Sequence, residues 1–343
     1  MPDRTLPISA AVLAVVVLVA LALDDLTGSD TSSGAVAGAF MAGLALDGDP
    51  RPRNLDPYRG HGTWVDAFDF DPAYQAEGGE PALAPASVDE MADAGVRTIY
   101  LQAARIDERS PAMLTDRSLL AQFLIRAHRR DLAVVGWYLP KFADIDADLA
   151  HLEAMADFEV AGHRLDGVAV DIEFTDDVPD HGARSARLVE LSQRLRASRD
   201  GEALGAIVLP PVQIEVVNPA FWPGFPWRDL ASLYDVWLPM SYWTFRTEDS
   251  GYQDGFSYNA ESTERLRANL GDGDAVVHGI GGIGDEATAE DLGGFVRSLV
   301  ETGSVGGSIY DWDTLAPESR RAMTELFVEA DGSLPSPGDR PAG

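Results

Sequence analysis

Two carboxylates stand two residues apart near the end of one strongly β-forming run. The run covers residues 165–174, LDGVAVDIEF, in which Asp171 and Glu173 alternate with apolar residues. If the run is a strand, this alternation turns both carboxylates to the same face, about 7 Å apart. At the mouth of a low-dielectric barrel two such charges repel each other, so one proton is held more tightly. A neutral acid beside a charged carboxylate is the pair that cleavage of a glycosidic bond needs.

The elements that must position this pair can be counted from the hydrophobic pattern. Eight short β-branched or aromatic runs lie at residues 62–70, 98–105, 133–141, 165–174, 203–212, 236–243, 275–282 and 306–313. A run of helical period follows each of them. Eight β/α pairs in about 270 residues predict a single-domain (β/α)8 TIM barrel. A doubly wound sheet is the alternative, but no glycine-rich phosphate turn follows the first run.

The composition narrows the possible partners. The chain of 343 residues has 56 acidic and 26 basic residues, a net charge of −30, so it repels phosphate backbones and we expect no nucleic-acid partner. It has no cysteine, and its six histidines form no metal-binding motif, so we expect neither a metal nor another cofactor. In so acidic a chain, Asp171 and Glu173 could also be ordinary solvated acids.

The amino terminus has the features of a targeting segment. Residues 6–23 form an uncharged apolar run behind Arg4 and before two aspartates. Such a run is typical of a signal peptide or of a single membrane anchor, and both interpretations stay open. The positive-inside rule places the rest of the chain outside the cytoplasm, which predicts an extracellular or cell-surface protein. The predicted organisation is a signal peptide or anchor at 1–25, a flexible linker at 26–60, the barrel at 61–328 and a disordered tail at 329–343.

The run around the two carboxylates resembles a known family. Residues 166–173, DGVAVDIE, are similar to the strand 4 signature Asp-Gly-x-Asp-x-Asp-x-Glu of the family 18 glycoside hydrolases, the chitinase-like TIM barrels. The resemblance implies that Glu173 is the general acid that protonates the leaving oxygen. It also implies that Asp171 orients the acetamido group of the substrate, whose carbonyl oxygen acts as the nucleophile. The substrates it implies are β-linked N-acetylhexosamine glycans such as chitin, peptidoglycan or an exopolysaccharide.

Two later runs extend the resemblance. Residues 238–243, LPMSYW, are similar to a Met-x-Tyr element of the family, which implies that Met240 and Tyr242 lie under the sugar. Residues 306–312, GGSIYDW, resemble a Gly-Gly-x-x-x-Trp element, which implies that Trp312 is a floor on which a pyranose ring stacks.

Further candidate substrate-binding residues stand near the ends of predicted strands. Aromatic faces with a few polar groups are the usual means of holding sugars. These candidates are Asp66, Gln102, Tyr138, Tyr310 and Asp311.

Departures from the family pattern keep two alternatives open. Ala169 stands where the family usually has an aspartate, and Trp243 stands where it usually has Asp or Asn. Both would suit a catalytically silent barrel that binds glycans or acts as a scaffold. The other alternative is a two-carboxylate retaining glycosidase, in which Glu286 after strand 7 is the candidate nucleophile for Glu173.

Overall fold

The computed structural model describes residues 53–330 and 332–335. These residues form a closed barrel of eight strands, which confirms the predicted TIM barrel. The apolar run at 6–23, most of the predicted linker and most of the predicted tail lie outside the described residues. In the part of the chain that is described, no helix is both long enough and apolar enough to cross a membrane.

All eight barrel strands are parallel and follow one another around the barrel in chain order. Their bounds are β1 Gly60–Val65, β2 Thr98–Gln102, β3 Ala133–Tyr138, β4 Gly167–Ile172, β5 Leu204–Val208, β6 Val236–Ser241, β7 His278–Ile283 and β8 Gly306–Tyr310. The barrel closes where β8 pairs with β1, with Gly60 opposite Gly306. Parallel strands in this order bring all eight carboxyl ends to one rim.

Helices surround the barrel. Their bounds are α1 Ala67–Phe70, α2 Ser87–Asp93, α3 Arg117–Arg129, α4 Ile145–Ala156, α5 His181–Ser198, α6 Trp227–Leu230, α7 Gly255–Leu270, α8 Ala289–Glu301 and α9 Pro317–Ala330. Aspartates cap the amino ends of α3, α4, α5 and α7, where their carboxylates accept backbone N–H groups: Asp116, Asp144, Asp180 and Asp254. Part of the acidic excess therefore stabilises helix termini.

The core has two layers that follow the alternation of the strands. On β4, Val168, Val170 and Ile172 pack in the layer between barrel and helices. Ala169, between them, packs inside the barrel. The same parity turns Asp171 inward, as the sequence pattern predicts.

The first strand ends earlier than its apolar pattern suggests. The predicted strand at 62–70 is β1 only as far as Val65, and Ala67–Phe70 is helical. The reason is a capping box, in which Asp66 accepts the N–H of Phe68 and Asp69 accepts the N–H of Asp66. A short-range carboxylate cap outweighs the β propensity of the two phenylalanines in this segment.

Candidate active site

A cavity of about 590 Å³ lies among residues at and beyond the carboxyl ends of the strands. Its volume falls in the range of roughly 300–1,000 Å³ that is usual for ligand sites, and TIM barrels carry their active sites at this end. The structure brings six of the sequence candidates beside Glu173 and Asp171 to its wall or rim: Asp66, Gln102, Met240, Tyr242 and Tyr310 line the cavity, and Asp311 lies just behind it.

The two carboxylates of the strand 4 motif both line the cavity. Asp171 is the last inward residue of β4 and is buried, whereas Glu173 follows the strand and is partly buried. Burial raises the pKa of Asp171 well above its usual value, and the charge of Glu173 raises it further while Arg105 lowers it. Burial also raises the pKa of Glu173. The pair therefore keeps a proton at pH values at which two isolated carboxyls would both be ionised.

An apolar layer beneath Asp171 accounts for its desolvation. Ala169 lies one inward position below Asp171 and pairs in register with Trp137 of β3 and Gly205 of β5. Its methyl group belongs to the apolar interior of the barrel. Within the described residues, Oδ1 of Asp171 is buried without a hydrogen-bond partner. A buried acceptor of this kind favours the protonated form of the carboxyl or a ligand N–H that supplies the missing bond.

Two tyrosines connect the carboxylates with the other side of the rim. The rings of Tyr242 and Tyr310 are 5.8 Å apart between centroids, and the hydroxyl of Tyr310 donates to Oδ2 of Asp66 at 2.7 Å. Burial, followed by the charges of Glu173 and Asp171, raises the pKa of Tyr242 well above its usual value. Tyr242 is therefore a neutral phenol that can donate a hydrogen bond inside the cavity.

The floor of the cavity is Trp64, a residue that the sequence reasoning did not single out. Its ring stacks on Tyr100 at 4.4 Å between centroids, and its Nε1–H donates to Oγ of Ser308 at 2.7 Å. Trp64 lies on β1 two residues before Asp66, so alternation along the strand gives both the same inward parity, and this parity is the sequence signal that could have identified Trp64.

A buried histidine orients the serine that holds this floor. Nδ1 of His278 lies 2.9 Å from the carbonyl oxygen of Tyr58, which can only accept, so Nδ1 carries the proton. Nε2 is then the acceptor for the hydroxyl of Ser308 at 3.0 Å. Burial lowers the pKa of His278 to about 4, which keeps the ring neutral. The donor and the acceptor are therefore determined for each hydrogen bond that joins Tyr58, His278, Ser308 and Trp64.

Tyr138 does not face the cavity, which corrects the prediction that it binds substrate. It is fully buried between the barrel and α4, where its hydroxyl donates to Asp148 at 2.6 Å and its ring stacks on His151. Trp137, one residue earlier, is the side chain of β3 that lines the cavity. Because side chains alternate along a strand, an error of one residue in phase exchanges the two faces.

Trp312 also lies outside the cavity, so its predicted role as a stacking floor is wrong for this structure. The ring is buried in the layer between barrel and helices, with the guanidinium of Arg320 4.1 Å above it. Strand β8 ends at Tyr310, and its register with β7 shifts between Ile309 and Tyr310. Tyr310 is consequently the aromatic residue of β8 that reaches the cavity.

Asp311 belongs to a cluster of three carboxylates beside the cavity. Oxygens of Asp66, Asp69 and Asp311 all lie within 4.8 Å of one another, the one described group whose spacing could hold a metal ion. Burial, with the charges of Asp66 and Asp311, raises the pKa of Asp69 to about 8, and burial also raises the pKa of Asp311. A shared proton therefore relieves the repulsion within this cluster at neutral pH.

Two arginines complete the polar part of the wall. Arg105 lies beyond β2 with its guanidinium 4.6 Å above the ring of Phe68, and Arg246 lies beyond β6 and donates to the amide oxygen of Gln213. Gln102 is fully buried and accepts the N–H of Ala67 at 2.9 Å. Arg246 lies in a loop beyond β6, and Gln213 lies in the π-helical segment Val212–Val217 beyond β5.

Comparisons with known proteins show the same barrel at low sequence identity. No protein-family model matches the chain, and a search of curated proteins finds no match. Among solved structures, a mutant GH18 chitinase from Cycas revoluta in complex with (GlcNAc)4 is 9% identical, with a TM-score of 0.56 over 79% of this chain and 99% of that chain. The spore cortex-lytic enzyme SleL from Bacillus cereus is 10% identical, with a TM-score of 0.54 over 80% and 76%. The endoglucanase Cel5A from Pseudomonas stutzeri is 14% identical, with a TM-score of 0.54 over 81% and 96%.

The TM-scores and the shares of the chains that align show a shared fold. Chitinases and another glycoside hydrolase share the barrel of this chain along most of its length. The resemblance to the chitinase-like barrels, stated on the strand 4 residues, is confirmed at the level of the fold.

Proposed function

We propose that this protein is a glycoside hydrolase that cleaves β-linked N-acetylhexosamine glycans with retention of configuration. The observation that carries the proposal is the placement of Asp171 and Glu173 together in the cavity at the carboxyl end of the barrel, with raised pKa values. The pair meets the first requirement of the reaction, which is an acid that keeps its proton above the ordinary titration range of a carboxyl group.

In the first step the acetamido carbonyl oxygen of the substrate attacks C1 of its own sugar. The bond between C1 and the leaving oxygen breaks, and Glu173 gives its proton to that oxygen. Asp171 accepts the acetamido N–H, for which its unpartnered Oδ1 is available, and thereby points the carbonyl oxygen at C1. Tyr242 is placed to donate a hydrogen bond to the same group.

In the second step a water attacks C1 and opens the ring formed in the first step. Glu173, now ionised, takes a proton from this water and so returns to its starting state. Two displacements at C1 restore the original β configuration. No metal or other cofactor enters either step.

A silent glycan-binding barrel is the second candidate function. It is favoured by Ala169, which leaves Asp171 without an inner carboxylate partner. The presence of Glu173 in the cavity favours the enzyme, because a binding barrel has no need of a desolvated acid.

The two-carboxylate alternative has little support from the position of its second carboxylate. Glu286 is exposed, after β7, and is not among the residues that line the cavity. A nucleophilic carboxylate must lie about 5 Å from the acid, on the other side of the scissile bond.

We also propose that the enzyme acts outside the cytoplasm, secreted or held at the cell surface. This proposal is based on the uncharged apolar run at residues 6–23 and on the charges at its two ends. Insoluble envelope or extracellular glycans are the substrates available there.

Product analysis by mass spectrometry tests the proposed activity. The full-length protein is incubated with N-acetylglucosamine oligomers and with peptidoglycan, beside its Glu173→Gln and Glu286→Gln variants. We expect cleavage by the wild type and by Glu286→Gln, and a loss of at least a hundredfold in Glu173→Gln. Undiminished cleavage by Glu173→Gln contradicts the proposal. Loss of cleavage in Glu286→Gln transfers support to the two-carboxylate mechanism.

A further inference from the structure

The cavity wall holds side-chain N–H donors that the protein itself leaves only partly satisfied. Within the described residues, Nε of Arg105, Nε of Arg246 and Nε2 of Gln102 are buried without a hydrogen-bond partner. All three side chains line the cavity. A buried donor without an acceptor is costly. These three atoms are enclosed, but Arg105 and Arg246 are only partly buried as residues, so a ligand in the cavity can bring acceptors to their guanidinium groups.

The carboxylate that forms an ion pair with Arg105 is already engaged by another arginine. Arg109 binds Asp107 through two hydrogen bonds of 2.9 and 2.8 Å. Nε of Arg105 lies 3.5 Å from the same carboxylate, at ion-pair distance only. The charge of Arg105 also lowers the pKa of Asp171, but among the described residues its guanidinium makes no hydrogen bond to a carboxylate, so it remains available at the cavity wall.

Arg246 has a neutral partner. Its Nη1 donates to the amide oxygen of Gln213, which brings no negative charge. The guanidinium also lies 5.8 Å from the ring centre of Tyr258, a contact that leaves its charge in place. A guanidinium whose protein partners are an amide and an aromatic ring is suited to bind a ligand carboxylate.

The two arginines lie on opposite sides of the rim. Arg105 follows β2 and Arg246 follows β6, and these strands are four apart in the closed barrel of eight. Glu173 follows β4, midway between them. A glycan bound with its scissile bond at Glu173 thus has one guanidinium on each side of the cleavage point.

We propose that Arg105 and Arg246 bind carboxylates of the substrate, so that the cavity takes an anionic glycan. This inference rests on the proposed function and narrows its substrate class from N-acetylhexosamine glycans in general to those that carry carboxylates. Two sources share this chemistry: the lactyl carboxylate of muramic acid in peptidoglycan strands, and the uronate carboxylate of an acidic exopolysaccharide. Neutral chitin lacks the group.

The test compares each anionic glycan with its own neutral derivative. The probes are peptide-free peptidoglycan strands and hyaluronan oligosaccharides, each used intact and after conversion of its carboxyls to methylamides. The assay is run at about 0.15 M salt, where a screening length of about 8 Å limits repulsion by the acidic surface. We expect full-length wild type to show a kcat/KM at least about tenfold higher on the intact form of one source. The source that gives this preference identifies the ligand.

Single substitutions test whether the two arginines cause the preference for substrates that carry carboxylates. Arg105→Gln and Arg246→Gln should each reduce the ratio of kcat/KM between intact and methylamide substrate toward one. Arg297→Gln, an exposed change on α8, is the matched control and should leave the ratio unchanged. A wild-type ratio of one or less for both sources overturns the proposal, as does a ratio that neither arginine variant alters.

Binding to the Glu173→Gln variant separates this inference from the proposed activity. Calorimetry with the same four glycans measures carboxylate preference without turnover. Selective binding by a protein whose wild type cleaves nothing supports the anionic ligand and contradicts the hydrolase. Cleavage without any carboxylate preference in rate or binding supports the hydrolase and contradicts the anionic ligand.

Discussion

At the scale of single residues, desolvation determines the chemistry of this cavity. Asp171 is placed above the methyl group of Ala169, and Glu173 follows at the rim with a raised pKa. The result is a carboxyl pair that shares a proton. Deeper in the molecule, the same effect keeps His278 neutral, with a pKa of about 4.

The pH dependence of activity follows from this pair. The reaction needs a protonated acid, so kcat/KM should fall as pH rises through the upper pKa of the pair, above the ordinary value of about 4.3 for glutamic acid. Asp171→Asn removes one of the two charges and should move this limb to lower pH, with kcat reduced at least about tenfold. The measurement is kcat/KM from pH 4 to 9, with Glu286→Gln as the control. An unmoved limb in Asp171→Asn would contradict the coupling.

A second pH effect concerns stability and comes from Asp69. Its pKa is about 8 in the folded protein and about 3.9 in the unfolded chain. The stabilisation from its bound proton is complete below pH 4 and is lost as pH rises toward 8. Asp69→Asn keeps an acceptor for the N–H of Asp66 but carries no charge. The Tm of the wild type should therefore fall more steeply than that of Asp69→Asn between pH 5 and 8, and parallel curves would contradict the assignment.

At the scale of elements, the barrel positions the site by turning alternate residues inward. β4 presents Asp171, β6 presents Met240 and β1 presents Trp64, and the eight parallel strands bring these residues to one cavity. Hydrogen bonds across β1, β7 and β8 then fix the floor, because Trp64, Ser308 and His278 each come from a different strand.

Removal of the central hydroxyl should weaken this connection between strands. Ser308→Ala leaves the indole N–H of Trp64 and Nε2 of His278 without their partner in a buried site. We expect a loss of about 1–3 kcal/mol in the free energy of unfolding, measured by urea denaturation. Ser257→Ala, on the exposed face at the start of α7, serves as control and should change stability by less than about 0.5 kcal/mol. Equal stability of Ser308→Ala and wild type would show that the hydroxyl contributes nothing.

The sequence predicts the elements better than it predicts their ends. Alternation identifies the barrel and turns Asp171 inward, because a one-residue error within a long buried strand would expose an entire apolar face. At strand ends this constraint fades. Tyr138 lies on the outer face of β3, Trp312 lies beyond the end of β8 after a register shift, and the capping box at Asp66 ends β1 early. Arg246 lies in a loop whose position depends on tertiary contacts.

At the scale of the whole molecule, charge is the dominant property. A net charge of −30 on 343 residues produces self-repulsion that destabilises the compact state at low ionic strength. Cation screening should relieve it. The arginines at the cavity wall are positively charged groups in this negative field. They would contact a bound carboxylate over distances shorter than the screening length.

The charge leads to a prediction for the full-length protein. Its Tm should rise by several degrees as sodium chloride increases from about 0.01 M to 1 M, since the screening length falls from about 30 Å to about 3 Å. Differential scanning calorimetry measures this directly. A Tm that is flat or falls over this range would show that the acidic surface does not limit stability.

The central claim is that the acetamido group of the substrate is the nucleophile. Asp171 orients this group, and Glu173 protonates the leaving oxygen. Real-time proton NMR tests this claim most directly. The substrate is an oligomer that contains N-acetylglucosamine and that the wild type cleaves, and it is compared with its fully deacetylated form. We predict that the first product appears as the β-anomer and that the deacetylated oligomer is not cleaved. An α-anomer as first product, or cleavage of the deacetylated oligomer at a comparable rate, would contradict the account.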